Sequence, residues 1–242
     1  KQSIFFLKKF LEVAIMMKIE GHNTEIVHFF ALSSDKQKEY AEKISQITFA
    51  EPNMLNISAE EVLDKNYIAM MRDENENVLA FAAVSKPEEN QDGWLFGEIG
   101  MMYTIPQLRN HGIGHQMLEF VEDWVRASKD FDGLVAFLCD ASIKLLAEAG
   151  YEPDNGIVPK YYFDLCQTHW RLCEGAEERA GNFVEIIEIA QGRREKRDDF
   201  ERMIKRFSGL NDEVSLRALD ILEGNRHRAG LCCPLPAYKF LQ

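Results

Sequence analysis

One stretch of the chain, Met101–Met117 (MMYTIPQLRNHGIGHQM), dictates a change of backbone from strand to helix. An apolar extended segment runs to Ile105, Pro106 ends it, a short polar loop follows, and a helix is expected from about Gly112. Apolar residues at Ile113, Met117, Leu118, Val121, Trp124 and Val125 form the stripe of an amphipathic helix running to Ser128. Within the loop, Arg109, Gly112 and Gly114 spell R-x-x-G-x-G. Small residues at such a junction let backbone N–H groups turn outward. The first turn of a helix leaves N–H donors unpaired, with the positive end of the dipole behind them. The junction therefore reads as a main-chain cradle for phosphate. Two other glycine motifs fail on spacing. A dinucleotide fingerprint needs a third glycine where Met117 stands, and a P-loop needs Gly-Lys-Ser/Thr where Ile113, Gly114 and His115 follow Gly112. On the loop alone, an ordinary strand-to-helix turn stays open.

The elements around this junction alternate in type. Glu25–Leu32 is β-rich, Ser33, Ser34 and Asp35 offer N-caps for a helix to about Phe49, and Ser58 with Glu61 has the form of a capping box. Tyr67–Met71 and Val78–Ser85 read as a hairpin about the polar turn Asp73–Asn77. The long strand Trp94–Ile105 leads into the junction. Leu134–Leu138 is read as a buried strand, Ala141–Ala149 as a helix closed by Gly150, and Pro159–Leu165 as a final strand. Neighbouring strands imply antiparallel pairing, and strand–helix–strand passages imply parallel crossovers. An α/β fold with a mixed, largely antiparallel sheet flanked by helices follows.

The segment TIPQLRNHGIG resembles the signature of the GNAT superfamily of N-acetyltransferases, roughly V-x-P-x-x-R-x-x-G-x-G. Thr104, Pro106, Arg109, Gly112 and Gly114 fall in register, with Thr104 in place of the usual valine. The resemblance covers about residues 21–166, and the order of elements is that of the GNAT fold. It implies transfer of an acyl group, usually acetyl, from acetyl-CoA to an amine. The cofactor's pyrophosphate would lie on main-chain N–H groups from Arg109 through Asn110, His111, Gly112, Ile113 and Gly114 to His115, with Arg109 adding charge. The backbone of Met102 and Thr104 would pair with the pantetheine arm like an added strand, and an N–H near Met102 would face the developing oxyanion. Glu98, eleven positions before Arg109, matches the general-base glutamate of histone-acetylating members. Strict strand alternation would place it on one face with Gly100, Met102 and Thr104. A polar residue on an exposed strand face is the plainer reading of Glu98. The chain departs from the family at the general acid, where Leu146 stands in place of tyrosine and Cys139 in place of an upstream asparagine. Tyr103, Tyr161 and Tyr162 are the available substitutes, with Tyr103 nearest the junction in sequence.

Charge narrows the acceptor. The net charge is −12, and residues 1–166 hold 15 Lys and Arg against 27 Asp and Glu, leaving 13 of each in the remainder. An acidic surface makes nucleic acid and an anionic membrane poor partners and a cationic amine a natural one. A small cationic acceptor with a primary amine is expected. The competing function is a catalytically silent acyl-CoA-binding module with the C-terminal region as its interaction surface; a third is an acyltransferase for longer chains, with Met101, Met102 and Met117 as an adaptable lining.

The flanks are expected to be helical. IFFLKKFLEVAIMMK is broken by Lys8, Lys9 and Glu12, so residues 1–20 read as an amphipathic N-terminal extension rather than a signal peptide. Residues 21–166 form the acetyltransferase-like domain. Residues 167–242 read as an all-helical extension, with helices over Ala176–Ala190, Glu195–Phe207 and Asp212–Gly224. These helices would pack on the core, shape the acceptor pocket or form a homodimer contact. Arg193–Arg197 is basic enough to reach a cofactor 3′-phosphate, although a solvated helix start accounts for it as well. No run of eighteen apolar residues occurs. Five cysteines in no disulfide framework point to a reducing, cytoplasmic setting. Cys166, His169 and Cys173 share one helical face, which favours core packing over a metal site.

Overall fold

In the computed structural model the described residues are 15–19, 22–51, 54, 56–162, 198–226 and 235–241. They fall into two compact units, one of Lys1–Pro87, Gly97–Asp132 and Leu241–Gln242, the other of Glu88–Phe96 and Gly133–Phe240.

The first unit is built on an antiparallel run of strands. β1 (Ile15–Ile19) pairs with β2 (His22–His28), β2 with β3 (Tyr67–Asp73), β3 with β4 (Val78–Val84), and β4 with the Gly97–Thr104 part of β6 (Leu95–Thr104). Every residue of β4 is buried, because helices cover both of its faces. On one side α1 (Ser34–Ala50) and α2 (Ala59–Leu63) bury Tyr40, Ala41, Ile44 and Val62 against Ile68, Met70, Phe81 and Ala83. On the other lies α3 (Ile113–Ser128), whose Trp124 stacks on Tyr67 at 4.2 Å. The helices begin where local chemistry satisfies their first amides. Ser33 caps α1, and Ser58 with Glu61 forms the reciprocal capping box of α2. The β3–β4 turn is held by Asp73, whose carboxylate accepts from Asn75 N–H and Asn77 N–H.

The second unit pairs β7 (Gly133–Leu138) antiparallel with β9 (Leu235–Phe240) over the full length of both. The two-residue β8 (Glu152–Pro153) lies on the other edge of β9, and β5 (Glu88–Glu89) pairs with Leu95 and Phe96. Its helices include α4 (Ile143–Glu148) and α5 (Glu213–Gly224), and residues 198–207 are also helical. Phe96, Val135, Val158, Tyr162 and Tyr238 form a core cluster. Gly133 is a glycine of necessity, since a Cβ there would lie 2.5 Å from the Lys239 carbonyl oxygen and 2.6 Å from the Phe96 ring.

Three expectations need correction. Ile15–Ile19 is a strand on the edge of β2, where a helical extension was expected: pairing with residues 22–26 outweighs the local pattern, and residues 1–14 lie outside the described set. The expected strand over Pro159–Leu165 is not one where it is described. Residues 160–162 are helical, with Tyr162 N–H donating to the Pro159 carbonyl, and 163–165 are not described. The strand that pairs with β7 comes from the tail instead. The tail has the helices expected of it at 198–207 and in α5, the latter capped by Asp212, but it also contributes β9. The helix expected at Ala176–Ala190 lies outside the described residues, as do Arg193–Arg197, Cys166, His169 and Cys173. Among the described residues, no group of three or more His, Cys, Asp or Glu is placed to hold a metal, and no helix is long and apolar enough to cross a membrane.

Candidate active site

The site residues inferred from sequence all lie in the first unit, on the Gly97–Thr104 part of β6, the loop after it and the first turn of α3. β6 is not a regular strand there. Ile99 and Gly100 pair with Val84 and Ala83, but Tyr103 and Thr104 pair with Phe81 and Ala80, so β6 carries one extra residue between them. Met101 absorbs it with φ at 54°, a left-handed conformation that non-glycine residues seldom take.

The bulge reverses the alternation. Before it, Gly100 shares a face with Ala83; after it, Tyr103 shares that face through Phe81, and the two rings stack at 5.4 Å. Glu98, two residues before Gly100, points the same way, and a Cβ added at Gly100 would lie 3.7 Å from its carboxylate Oε1. The strand thus puts Glu98 and Tyr103 on one side, the side of α1 and α2. Thr104, expected alongside Glu98 by simple alternation, turns to the opposite face with Ala80. The Glu98 backbone is anchored, its N–H donating to Ser85 Oγ at 2.8 Å and its carbonyl accepting from Ser85 N–H at 2.9 Å. Met102 sits half-buried at the bulge.

Beyond β6, Pro106–Leu108 forms a 3-10 turn pinned by buried Leu108. The Arg109 N–H donates to the Pro106 carbonyl, so the amide series expected from Arg109 to His115 loses its first member. Asn110 and Gly112 then take left-handed conformations, φ 67° and 77°, the kind of backbone from which anion-binding turns are built. Gly112 caps α3 with no side-chain hydrogen bond, and among the described residues a Cβ there would meet nothing within 4 Å. Gln116 N–H donates to the Gly112 carbonyl and begins the helical ladder, so the Ile113 and Gly114 amides precede it. Ile113 buries its side chain in the core and can offer only its amide, whereas His111 and His115 are exposed and His111 Nδ1 lies 3.0 Å from the Arg109 carbonyl. What remains is an exposed turn at the positive end of a sixteen-residue helix.

Arg109 behaves differently from expectation. Its Nη2 donates to Glu51 Oε2 at 2.8 Å and its Nε to the Thr104 carbonyl at 3.0 Å, and the guanidinium lies 6.0 Å from the Tyr103 ring centre. Its charge is therefore committed to a carboxylate 58 residues earlier in the chain. Nothing in the sequence marks Glu51 beyond its place where Glu-Pro ends α1. Partial burial raises the Tyr103 phenol above its ordinary pKa, with the Glu51 carboxylate reinforcing the shift and Arg109 opposing it. The phenol holds its proton at neutral pH.

The other tyrosines and the departures from the family pattern lie in the second unit. Tyr162 is fully buried and donates to the Phe96 carbonyl at 2.8 Å, which commits it to structure, and Tyr161 is exposed. Leu146 is buried in α4, and Cys139 is an exposed free thiol.

Residues 28–151 match a family model described as the acetyltransferase (GNAT) family. A search of curated proteins finds no match. Among solved structures, the chain is similar to a GNAT-family acetyltransferase from Staphylococcus aureus Mu50, at 17% identity over 57% of this chain and 90% of that one, with a TM-score of 0.43. It is also similar to a GNAT-family N-acetyltransferase from Escherichia coli in complex with CoA (13% identity, 56% and 72% coverage, TM-score 0.41). A third is N-acetylglutamate synthase from Neisseria gonorrhoeae complexed with coenzyme A and L-arginine (17% identity, 55% and 28% coverage, TM-score 0.39).

Proposed function

The chain belongs to the acetyltransferase (GNAT) family, and on that premise we propose that it transfers acetyl from acetyl-CoA to a primary amine of a small cationic acceptor. Acetyl-CoA is the family's usual cosubstrate. The observation that carries the reading is the turn at Asn110–Gly114, where two left-handed residues lead into a helix N-terminus and no described residue lies within 4 Å of a Cβ added at Gly112. That is the geometry a pyrophosphate needs. The acidic balance of residues 1–166 supports a cationic acceptor.

The reaction needs the acceptor as a free amine. Glu98 takes a proton from the ammonium directly or through water and passes it to solvent; the amine nitrogen attacks the thioester carbonyl, the C–S bond breaks, CoA leaves as a thiolate, and the second proton lost by the nitrogen replaces the one that Tyr103 gives up. An amide N–H near the Met101 bulge stabilises the oxyanion. Tyr103, whose phenol stays protonated and shares the Glu98 face, returns a proton to the thiolate. The net products are the N-acetyl amide, CoA and one proton.

The second reading, a silent acyl-CoA-binding module, draws on one observation: the position of the family's usual acid is Leu146, buried in the apolar packing of α4. Calorimetric titration with acetyl-CoA and with free CoA tests what both readings share. Binding in about the micromolar range, lost when Gly112 and Gly114 are replaced by valine, is the expected result. Absence of binding to either ligand would remove both readings. An amine screen followed by mass spectrometry then separates them, since only the enzyme yields an acetylated product.

A further inference from the structure

Glu51 occupies a position that electrostatics disfavours. It is the C-cap of α1, its N–H donating to the Ile47 carbonyl at 3.0 Å, so its carboxylate stands at the negative end of a seventeen-residue helix with no basic residue in the last turn. Its side chain is only 15% exposed. A carboxylate so placed needs a cation, and Arg109 of the R-x-x-G-x-G loop supplies it at 2.8 Å. A second hydrogen bond, from Nε to the Thr104 carbonyl, orients the guanidinium, which lies 6.0 Å from the Tyr103 ring centre.

We infer that Glu51 is an affinity-setting counter-charge for coenzyme A: an internal anion paired with the guanidinium that borders the phosphate cradle, and so opposed to the phosphates that would share it. The inference rests on reading the Asn110–Gly114 turn as that cradle. With Glu51 in place, the Glu51–Arg109 pair is neutral, and a diphosphate on the turn gains little from Arg109. The pair leaves the main-chain amides as the principal hold. This has a use in turnover. Coenzyme A and its acetyl ester carry the same phosphates, so extra attraction there binds substrate and product alike and delays product release without lowering the chemical barrier. Glu51 keeps that uniform attraction small.

Glu51→Gln isolates the effect, since the amide oxygen can still accept from Arg109 Nη2 while the charge is gone. Calorimetric titration of free CoA into the full chain should show about five- to tenfold tighter binding in this variant at about 50 mM NaCl, the gain shrinking at about 300 mM. Glu51→Ala, which also removes the charge, should tighten binding too and guards against a folding defect peculiar to glutamine; melting curves check both. Arg109→Met, which leaves Glu51 unopposed, should weaken binding. Weaker or unchanged CoA affinity in both neutral variants would overturn the inference, and weaker affinity would make Glu51 a support that merely positions Arg109. If the unmodified chain binds no CoA at all, the cradle reading fails and the inference falls with it. If it binds CoA but neither variant binds more tightly, only the inference falls.

Discussion

The two ends of α3 do opposite work. Toward its C-terminal half, Trp124 stacks on Tyr67 at 4.2 Å and meets His28 and Phe131 edge-on, all four residues buried. At its N-terminus, Asn110 and Gly112 are exposed and left-handed. One end is a closed aromatic block that fixes the helix on β3 and β4; the other is an exposed turn. The difference separates stability from binding along a single helix. Changes in the block should cost folding free energy without a specific effect on ligand, and changes at the turn should do the reverse.

The block should give the largest loss. Trp124→Ala removes the stack and leaves a cavity beside Tyr67, and about 3–5 kcal/mol of stability should go with it, read as a shift in urea midpoint. Trp124→Phe sharpens the point. Among the described residues the buried indole Nε1 has no hydrogen-bond partner, so phenylalanine keeps the ring contact and removes that donor. It should cost less than about 1.5 kcal/mol. A phenylalanine variant as unstable as the alanine one would mean that the indole is held by something other than ring packing.

Catalysis should break at β6 without touching stability. Glu98→Gln is expected to lower kcat by about 10²–10⁴-fold while leaving the CoA dissociation constant within about twofold. Unchanged turnover would remove Glu98 from the mechanism. Tyr103→Phe should cost less, about tenfold, because water can protonate a thiolate.

These assignments were unevenly legible in the chain. The β6–α3 crossing could be read because its causes are local: Pro106 stops the strand, Gly112 supplies the positive φ, and the apolar stripe from Ile113 to Val125 defines the helix. The Ser58–Glu61 box and the Asp73 turn are local in the same way. The bulge at Met101 was not: Gly100 beside it fits a regular strand position as well as a bulge, and a one-residue slip reverses every face downstream. Alternation therefore grouped Glu98 with Thr104, whereas the fold groups it with Tyr103. Glu51 escaped because its partner is 58 residues away. β9 escaped because Pro234 and Pro236 weaken the local strand signal, while pairing with β7 supplies what the segment lacks.

The block also carries a proton-linked term. His28 is buried, its Nδ1 accepts from Phe30 N–H at 3.1 Å, and burial pushes its pKa down to about 4. The unfolded chain, with the ordinary value near 6.5, binds the proton more readily. Stability from neutral His28 is therefore complete above about pH 6.5 and is lost as pH falls toward 4, by about 3 kcal/mol at most. Urea unfolding at pH 7 and at pH 4.5, with and without His28→Asn, measures this share. If the two proteins lose stability in parallel, His28 is not the group responsible.

The smallest stability effect should fall at the open end, and it decides what the turn is for. Gly112 has φ 77° with no described residue within 4 Å of an added Cβ, so Gly112→Asn meets no clash with them and tolerates the left-handed backbone; its cost should stay under about 1 kcal/mol. The converse change, Asn110→Gly, relieves a strained φ of 67° and should be neutral or slightly stabilising. Neither substitution removes an amide. If phosphate approaches the backbone at Gly112, the new side chain occupies the space the ligand needs, and CoA affinity should fall tenfold or more while the melting temperature barely moves. Asn110→Gly adds no bulk and should leave affinity near its starting value. Equal, small effects on affinity from both would make the turn an ordinary strand-to-helix connection, with its glycine chosen for φ alone.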